Sequence, residues 1–251
     1  MNDIPPEGSY ERKMMKTVLH RADSRGHADH GWLDTHHTFS FAGYQHPERM
    51  RFGVLRVLND DRVAPGRGFG THPHDNMEII SIPLEGDLEH KDSMGNTKVI
   101  REGDLQVMSA GTGIFHSEYN KNQDREVKFL QIWVYPNQKD VEPRYDQISL
   151  REVHQDNAFY QVVSPHREGQ GAWIYQEAWF HMGDFESGVT ETYALKKEGN
   201  GVYLFVLSGK LEAAGIPVES RDGLGIWETS EIPFRFTEPS RVLLMEVPMT
   251  L

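Results

Sequence analysis

The chain has 251 residues, no Cys, and 26 basic against 38 acidic side chains, a net charge of −12 with His neutral. That length permits one large domain or two of ordinary size, able to bury most of the unfolded surface without staples. Zero Cys excludes disulfides, thiolate metal sites, Cys nucleophiles and redox dithiols. The acidic balance disfavours binding to nucleic-acid phosphates, and no apolar run suits a signal peptide or a membrane span. These features predict a soluble protein of the cytoplasm.

Helical periodicity is scarce along the chain. Residues 1–15, with Pro5-Pro6-Glu7-Gly8-Ser9, read as a loose end. The aromatic segment Trp32–Tyr44 carries His36 and His37; it fills core space or covers a pocket for a flat substrate. Short runs rich in Val, Ile and Phe predict strands at Phe52–Leu58, Met77–Leu84, Leu88–His90, Thr97–Ile100, Leu105–Met108, Phe115–Tyr119 and Lys128–Tyr135. Met94-Gly95-Asn96 reads as a hairpin turn. Further strands are expected at Gly201–Leu207, Lys210–Ala213, Gly225–Trp227, Ile232–Phe236 and Arg241–Val247. Many short strands separated by turn residues imply an all-β sandwich or barrel.

Pro136–Pro143 is Pro-bounded, polar and charged, and is the best linker. It suggests a first domain at 1–140 and a second at 141–251. A faint repeat agrees with this division. Leu84-Glu85-Gly86-Asp87-Leu88-Glu89 matches Leu207-Ser208-Gly209-Lys210-Leu211-Glu212, and Leu105-Gln106-Val107-Met108 matches Leu224-Gly225-Ile226-Trp227. Both pairs come in the same order at nearly the same spacing, as a duplicated β unit would give.

Of the 13 His, only His154, His166 and His181 lie beyond residue 120, so imidazole chemistry belongs to the first half. Two segments stand out there. Gly66-Arg67-Gly68-Phe69-Gly70-Thr71-His72-Pro73-His74 ends in His-x-His, and Gly111-Thr112-Gly113-Ile114-Phe115-His116-Ser117-Glu118 ends in His-x-Glu. On a strand, residues i and i+2 point to one face. If the segments adjoin in one barrel, His72, His74, His116 and Glu118 offer three imidazole nitrogens and one carboxylate. Such a set suits Fe(II), Mn(II), Co(II), Ni(II) or Cu(II), accommodates Zn(II), and leaves positions open on a six-coordinate ion. Glu78, four residues past His74, competes with Glu118 if the strand runs on; otherwise it supports a ligand imidazole. Gly66-x-Gly-x-Gly70 has no following Lys-Ser/Thr or helix, so it reads as a turn and not a phosphate loop. No Gly-x-Ser-x-Gly element points to a serine hydrolase.

These residues resemble the bicupin proteins of the pirin family. Gly66, His72, His74 and Glu78 fit the first cupin motif. Gly103, Gly111, His116 and Asn120 follow the second, with Ser109 in place of the usual Pro and a longer gap before His116, both as in pirins. Arg25-Gly26-His27, Trp32-Leu33-Asp34, Thr38-Phe39-Ser40-Phe41, Leu55-Arg56-Val57-Leu58-Asn59-Asp60-Asp61, Asp92-Ser93-Met94-Gly95-Asn96 and Pro143-Arg144-Tyr145 add to the likeness. It is dense from about residue 20 to 146 and thin afterwards.

The resemblance implies two jelly-roll barrels packed face to face. One metal, usually iron, would sit in the first barrel at His72, His74, His116 and Glu118. It also implies a quercetin 2,3-dioxygenase that opens the central ring of flavonols with O2 and releases CO. Glu118 or Glu78 would take the hydroxyl proton, and Met108 and Phe115 would hold the planar ring or, equally, pack in the core. The alternative implied by other pirins is an iron-dependent redox sensor acting through protein partners. The repeat offsets carry the four ligand positions to Leu195, Lys197, Arg235 and Thr237, none of them a ligand, so the second barrel is expected to be metal-free. A monomer is expected, with no direct nucleic-acid partner.

Overall fold

Val, Ile and Phe at alternating positions fit a pleated surface, and the Gly, Asn and Asp between them supply the turns; nearly all ordered structure is therefore strand. The computed structural model describes residues 15–251; the Pro5–Ser9 segment lies outside them. Among the described residues there are 22 strands and two single-turn 3-10 helices, and no helix is long and apolar enough to cross a membrane.

The first part of the chain supplies β1 (Lys16–His20), β2 (Gly26–Asp29), β3 (Leu33–His37), β4 (Leu55–Val63), β5 (Gly68–His74), β6 (Glu78–Glu85), β7 (Leu88–Asp92), β8 (Thr97–Ile100), β9 (Asp104–Ser109), β10 (Ile114–Asn120), β11 (Val127–Val134) and β12 (Arg144–Ser149). The second supplies β13 (Phe159–Ser164), β14 (Ala172–Trp173), β15 (Trp179–Phe185), β16 (Thr190–Ala194), β17 (Asn200–Ser208), β18 (Lys210–Ala213), β19 (Ile216–Glu219), β20 (Gly223–Trp227), β21 (Glu231–Phe236) and β22 (Ser240–Pro248).

Each half closes as two facing sheets, one of seven strands and one of four. The first has β12-β9-β6-β11-β4-β3-β2 against β5-β10-β7-β8; the second has β1-β20-β17-β22-β15-β13-β14 against β16-β21-β18-β19. The fold is all-β, two cupin-type barrels of the same strand plan. The repeat seen in the sequence falls on equivalent hairpins: Gly86 between β6 and β7 has φ +76°, and Gly209 between β17 and β18 has φ +91°. Glycine adopts this left-handed conformation without steric penalty.

The seven-stranded sheets face each other. Leu55, Leu58, Ile80 and Ile132 of the first barrel meet Tyr160, Phe180, Tyr203, Phe205 and Met245 of the second in one continuous buried core. Each large apolar side chain buried there contributes roughly 1.5–3 kcal/mol. A cut at residue 140 does not separate the sheets. β1 pairs with β20, Lys16 opposite Trp227, and β12 pairs with β9, Arg144 opposite Ser109. Each barrel borrows its outermost strand from beyond the cut.

The run read as Phe52–Leu58 is displaced, with the strand at Leu55–Val63. A bend at Gly53 (φ +53°) delays its start. Asn59 and Asp61 extend it because their buried polar groups find partners in His37 and Thr35.

The two interiors differ. Ile232, Phe234 and Phe236 of β21 pack in the second barrel with Val202, Leu204 and Leu244, beside a small buried polar group of His181, Tyr193, Asn200 and Glu246. In the first barrel the buried positions include Asn59, Asp61, Ser81, Gln106, His116, Glu118 and Gln131. Buried polar side chains require partners, so this barrel is built around polar chemistry.

Candidate metal centre

β5 and β10 are antiparallel neighbours, with His72 opposite His116. His74 shares the inward face of β5 with His72, and Glu118 follows His116 inward on β10. The register shifts between them, so that Glu118 lies opposite Phe69. This bulge inserts one β5 residue and bends the strand locally. Gly68 permits the close approach, since a Cβ there would overlap the Glu118 carbonyl oxygen.

The ligand nitrogens of His72, His74 and His116 lie within 4.8 Å of one another, and the Nε2 atoms of His72 and His116 are 3.0 Å apart. Adjacent donors on an octahedral ion with bonds of about 2.1 Å stand about 3 Å apart, so the imidazoles fit a metal. Their orientations fit as well. His72 Nδ1 donates to the Gly70 carbonyl at 2.8 Å, which leaves Nε2 as a lone-pair donor. Burial, then the nearby His116 and His72, lower His74 to about 4. Burial, then His72 and His90, lower His116 to about 3. Both imidazoles are neutral at physiological pH, as ligation requires.

Glu118 is buried, but its carboxylate stands outside the three-nitrogen group. Gln131 Nε2 donates to its two oxygens at 3.0 and 2.9 Å, and the Ser81 hydroxyl lies 3.2 Å away. Glu78 does not share a face with the imidazoles, contrary to the continuous-strand expectation. Asn76, at φ +43°, breaks the chain between β5 and β6, and β6 belongs to the opposite sheet. The Glu78 carboxylate accepts from the Ser109 hydroxyl at 2.8 Å. Burial, opposed by that bond, by the Tyr175 backbone and by Arg144, raises it to about 7.

Sequence reasoning missed His90. Fully buried on β7, it places Nδ1 3.5 Å from His116 Nδ1 and bonds Asp92 Oδ2 through Nε2 at 2.8 Å. Burial, the largest influence on Asp92, would raise its carboxyl; bonds from His90 and Asn96 outweigh it and hold the group below the usual range. The i, i+2 spacing of His90 and Asp92 beside a turn motif was the available signal.

A cavity of about 560 Å³ opens in the same barrel, lined by Leu33, Thr35, His37, Phe41, Asp61 and Phe69 among others. Trp133 stands edge-on to both His74 (4.9 Å) and Phe41 (5.4 Å), linking the cavity wall to the imidazoles. Within the Trp32–Tyr44 segment, Phe39 is core, while Phe41 and Tyr44 line the cavity. Phe115 cannot hold a ring inside, because alternation on β10 turns it outward, 55% exposed. Met108 is taken up by a small core with Ile79, Ala110 and Ile114.

Residues 18–134 match the family described as Pirin, and residues 161–247 match the quercetinase C-terminal cupin domain. The chain is 41% identical to quercetin 2,3-dioxygenase of Escherichia coli (strain K12), over 92% of this chain and 98% of that protein. The chain belongs to the pirin family. A pirin-like protein of Caulobacter vibrioides is 37% identical, with 89% of this chain and 96% of that one aligned. The bacterial pirin YhhW from Escherichia coli in complex with nickel(II) superposes with a TM-score of 0.88 at 38% identity, covering 93% and 99% of the two chains. Quercetin 2,3-dioxygenase from Acinetobacter baumannii shares the fold, with a TM-score of 0.78 at 21% identity over 94% and 88%.

Proposed function

We propose that this pirin is a metal-dependent dioxygenase that opens the central ring of a flavonol such as quercetin with O2 and releases CO. The carrying observation is the convergence of His72, His74 and His116 in the barrel that holds a largely apolar cavity, within a chain whose relatives bear the quercetin 2,3-dioxygenase name. These imidazoles and Glu118 would hold a divalent ion, Fe(II) by preference, with Mn, Co, Ni, Cu or Zn chemically admissible. Once bound, such an ion would lower the pKa of the flavonol 3-hydroxyl and leave the ring electron-rich enough to react with dioxygen.

The chain's own groups divide the remaining work. Glu118, steadied by Gln131 and Ser81, is the base for the hydroxyl proton. Phe41, Phe69 and Leu33 offer apolar walls to a planar phenol, and the cavity volume lies within the range usual for small-molecule sites. The indole N–H of Trp133 and the amide of Gln106 are buried without a protein partner, as expected of donors that meet water or substrate.

The test is anaerobic metal loading followed by O2 uptake and CO release with quercetin. Wild type should turn over, and His74→Ala and Glu118→Ala should not. Full activity in either variant would sink the assignment.

One observation favours a second reading, a redox sensor with a protein partner. β10 carries His116 and Glu118 inward and Phe115 and Tyr119 outward, the latter two 55% and 40% exposed. A partner complex that follows the iron oxidation state, with no flavonol turnover, would select that reading.

A further inference from the structure

We propose that His27, Asp34 and His36 form a second divalent-cation site on the outer face of the first barrel, for an ion of the Zn(II) or Ni(II) class. β2 and β3 form an antiparallel pair in which His27 lies directly opposite His36 and Asp29 opposite Asp34. The intervening turn is fixed by Gly31 at φ +79°, with its N–H donating to Asp29 Oδ1 at 2.7 Å. Asp34 precedes His36 by two residues and therefore shares its face. The two imidazoles stack with centroids 4.5 Å apart.

One carboxylate oxygen approaches a nitrogen of each ring. Asp34 Oδ1 is 3.0 Å from His27 Nε2 and 3.7 Å from His36 Nδ1, and all three ligand atoms lie within 4.8 Å of one another. The neighbouring cation Arg25 is paired with Asp60 at 3.1 Å.

Two imidazoles and one carboxylate are the ligand set of a three-point site with positions left for water. The side chains of His27, Asp34 and His36 are 52%, 30% and 35% exposed, so water has access to those positions. Nitrogen-rich sites bind late first-row ions more tightly than Mn(II) or Fe(II), and they reject Mg(II) and Ca(II). By that order the outer site takes Zn(II) or Ni(II) ahead of Fe(II), which the same ligand set also admits. Its position also gives it a mechanical role. The inner face of β3 carries Thr35 and His37, which bond Asp61 and Asn59 in the cavity wall. An ion clasping β2 to β3 would brace that wall.

Zn(II) titration of the metal-stripped full chain, followed by calorimetry, tests the proposal. Wild type should show two classes of site. His27→Gln/His36→Gln should lose one class and keep the other, and His72→Gln/His74→Gln should do the reverse. Because His27 and His36 are on the surface, the first variant should keep the melting temperature of metal-free wild type. A readout independent of stoichiometry is the Zn(II)-induced rise in melting temperature, which should persist in His72→Gln/His74→Gln and vanish when all four substitutions are combined. A single class in wild type, or two classes surviving in His27→Gln/His36→Gln, would overturn it.

Discussion

His90 stands behind His116 and faces it: their Nδ1 atoms are 3.5 Å apart, and His90 Nε2 is anchored on Asp92 at 2.8 Å. The ionised Asp92 accepts the His90 Nε2 proton. His90 Nδ1 then faces His116 Nδ1 as an acceptor, and the His116 Nε2 lone pair is left pointing at His72. A carboxylate thus sets the tautomer of a candidate ligand through an intervening imidazole. Such supporting groups typically govern metal affinity by about 10–100-fold. His90→Leu should weaken binding by that order with all ligands intact, measured by chelator competition. Affinity equal to wild type would remove the relay.

Gln131 and Glu118 give a second measurable coupling. The Gln131 amide supplies two bonds to a buried carboxylate, and bonds to charged groups contribute about 1.5–3 kcal/mol each. Gln131→Met should lower the stability of the metal-free chain by about 3 kcal/mol in urea denaturation. If Glu118 ligates the ion, loading with Zn(II) compensates the carboxylate and should narrow that difference. The same difference with and without metal would take Glu118 out of the ligand set.

The first barrel also carries a pH signature. Asp61 is buried and pushed up to about 7; burial is the largest cause, the Thr35 bond opposes it, and Asp60 and Glu118 add to it. Between its ordinary value of 3.8 and about 7, the native state retains a proton that the unfolded chain has lost. Stability from this group is therefore full at low pH and lost as pH rises through that window, by about 4 kcal/mol at most. His181 acts in the opposite sense. Burial, then the charge of Lys196, lowers it to about 3, so its contribution is full above 6.5 and lost as pH falls. Asp61→Asn keeps an acceptor for Thr35 and removes the titration. Its stability relative to wild type should increase between pH 4 and pH 8, and a difference that does not change with pH would show that Asp61 titrates normally.

What the sequence disclosed follows from how strongly each element is written. The strands of the shared core, such as β6, β11, β17 and β22, are continuous apolar runs and were legible. β1, β12 and β16 are not. Lys16–His20 and Thr190–Ala194 are largely exposed, and no residue of Arg144–Ser149 is fully buried. Their pairing is set by partners far away in the chain, which no local pattern records. The exchange of β1 and β12 between barrels was hidden for the same reason. At the site, His72, His74 and His116 were legible because i, i+2 spacing projects two donors from one strand. Glu78 misled because a strand was extended through a single left-handed residue, Asn76. His90 escaped notice because its role depends on β7 pairing with β10, where it lies opposite Glu118.

The bulge that aims these side chains rests on Gly68, which supports a last prediction. Gly68 does not have a positive φ, so a side chain is excluded there by space and not by backbone strain. A Cβ would overlap the Glu118 carbonyl and press on the Tyr119 backbone and ring. Gly68→Ala should therefore push β5 away from β10 and separate His72 from His116, although no ligand has been altered. Overpacking of this kind costs about 1–3 kcal/mol, too little to unfold a core of this size. The expected outcome is a folded chain with a lower melting temperature and metal affinity reduced at the first-barrel site. The His27, Asp34 and His36 cluster on the other sheet should bind as before. Zn(II) calorimetry on Gly68→Ala reads both at once. Undiminished affinity at the first-barrel site would mean that the imidazoles are held by something other than the approach of these two strands.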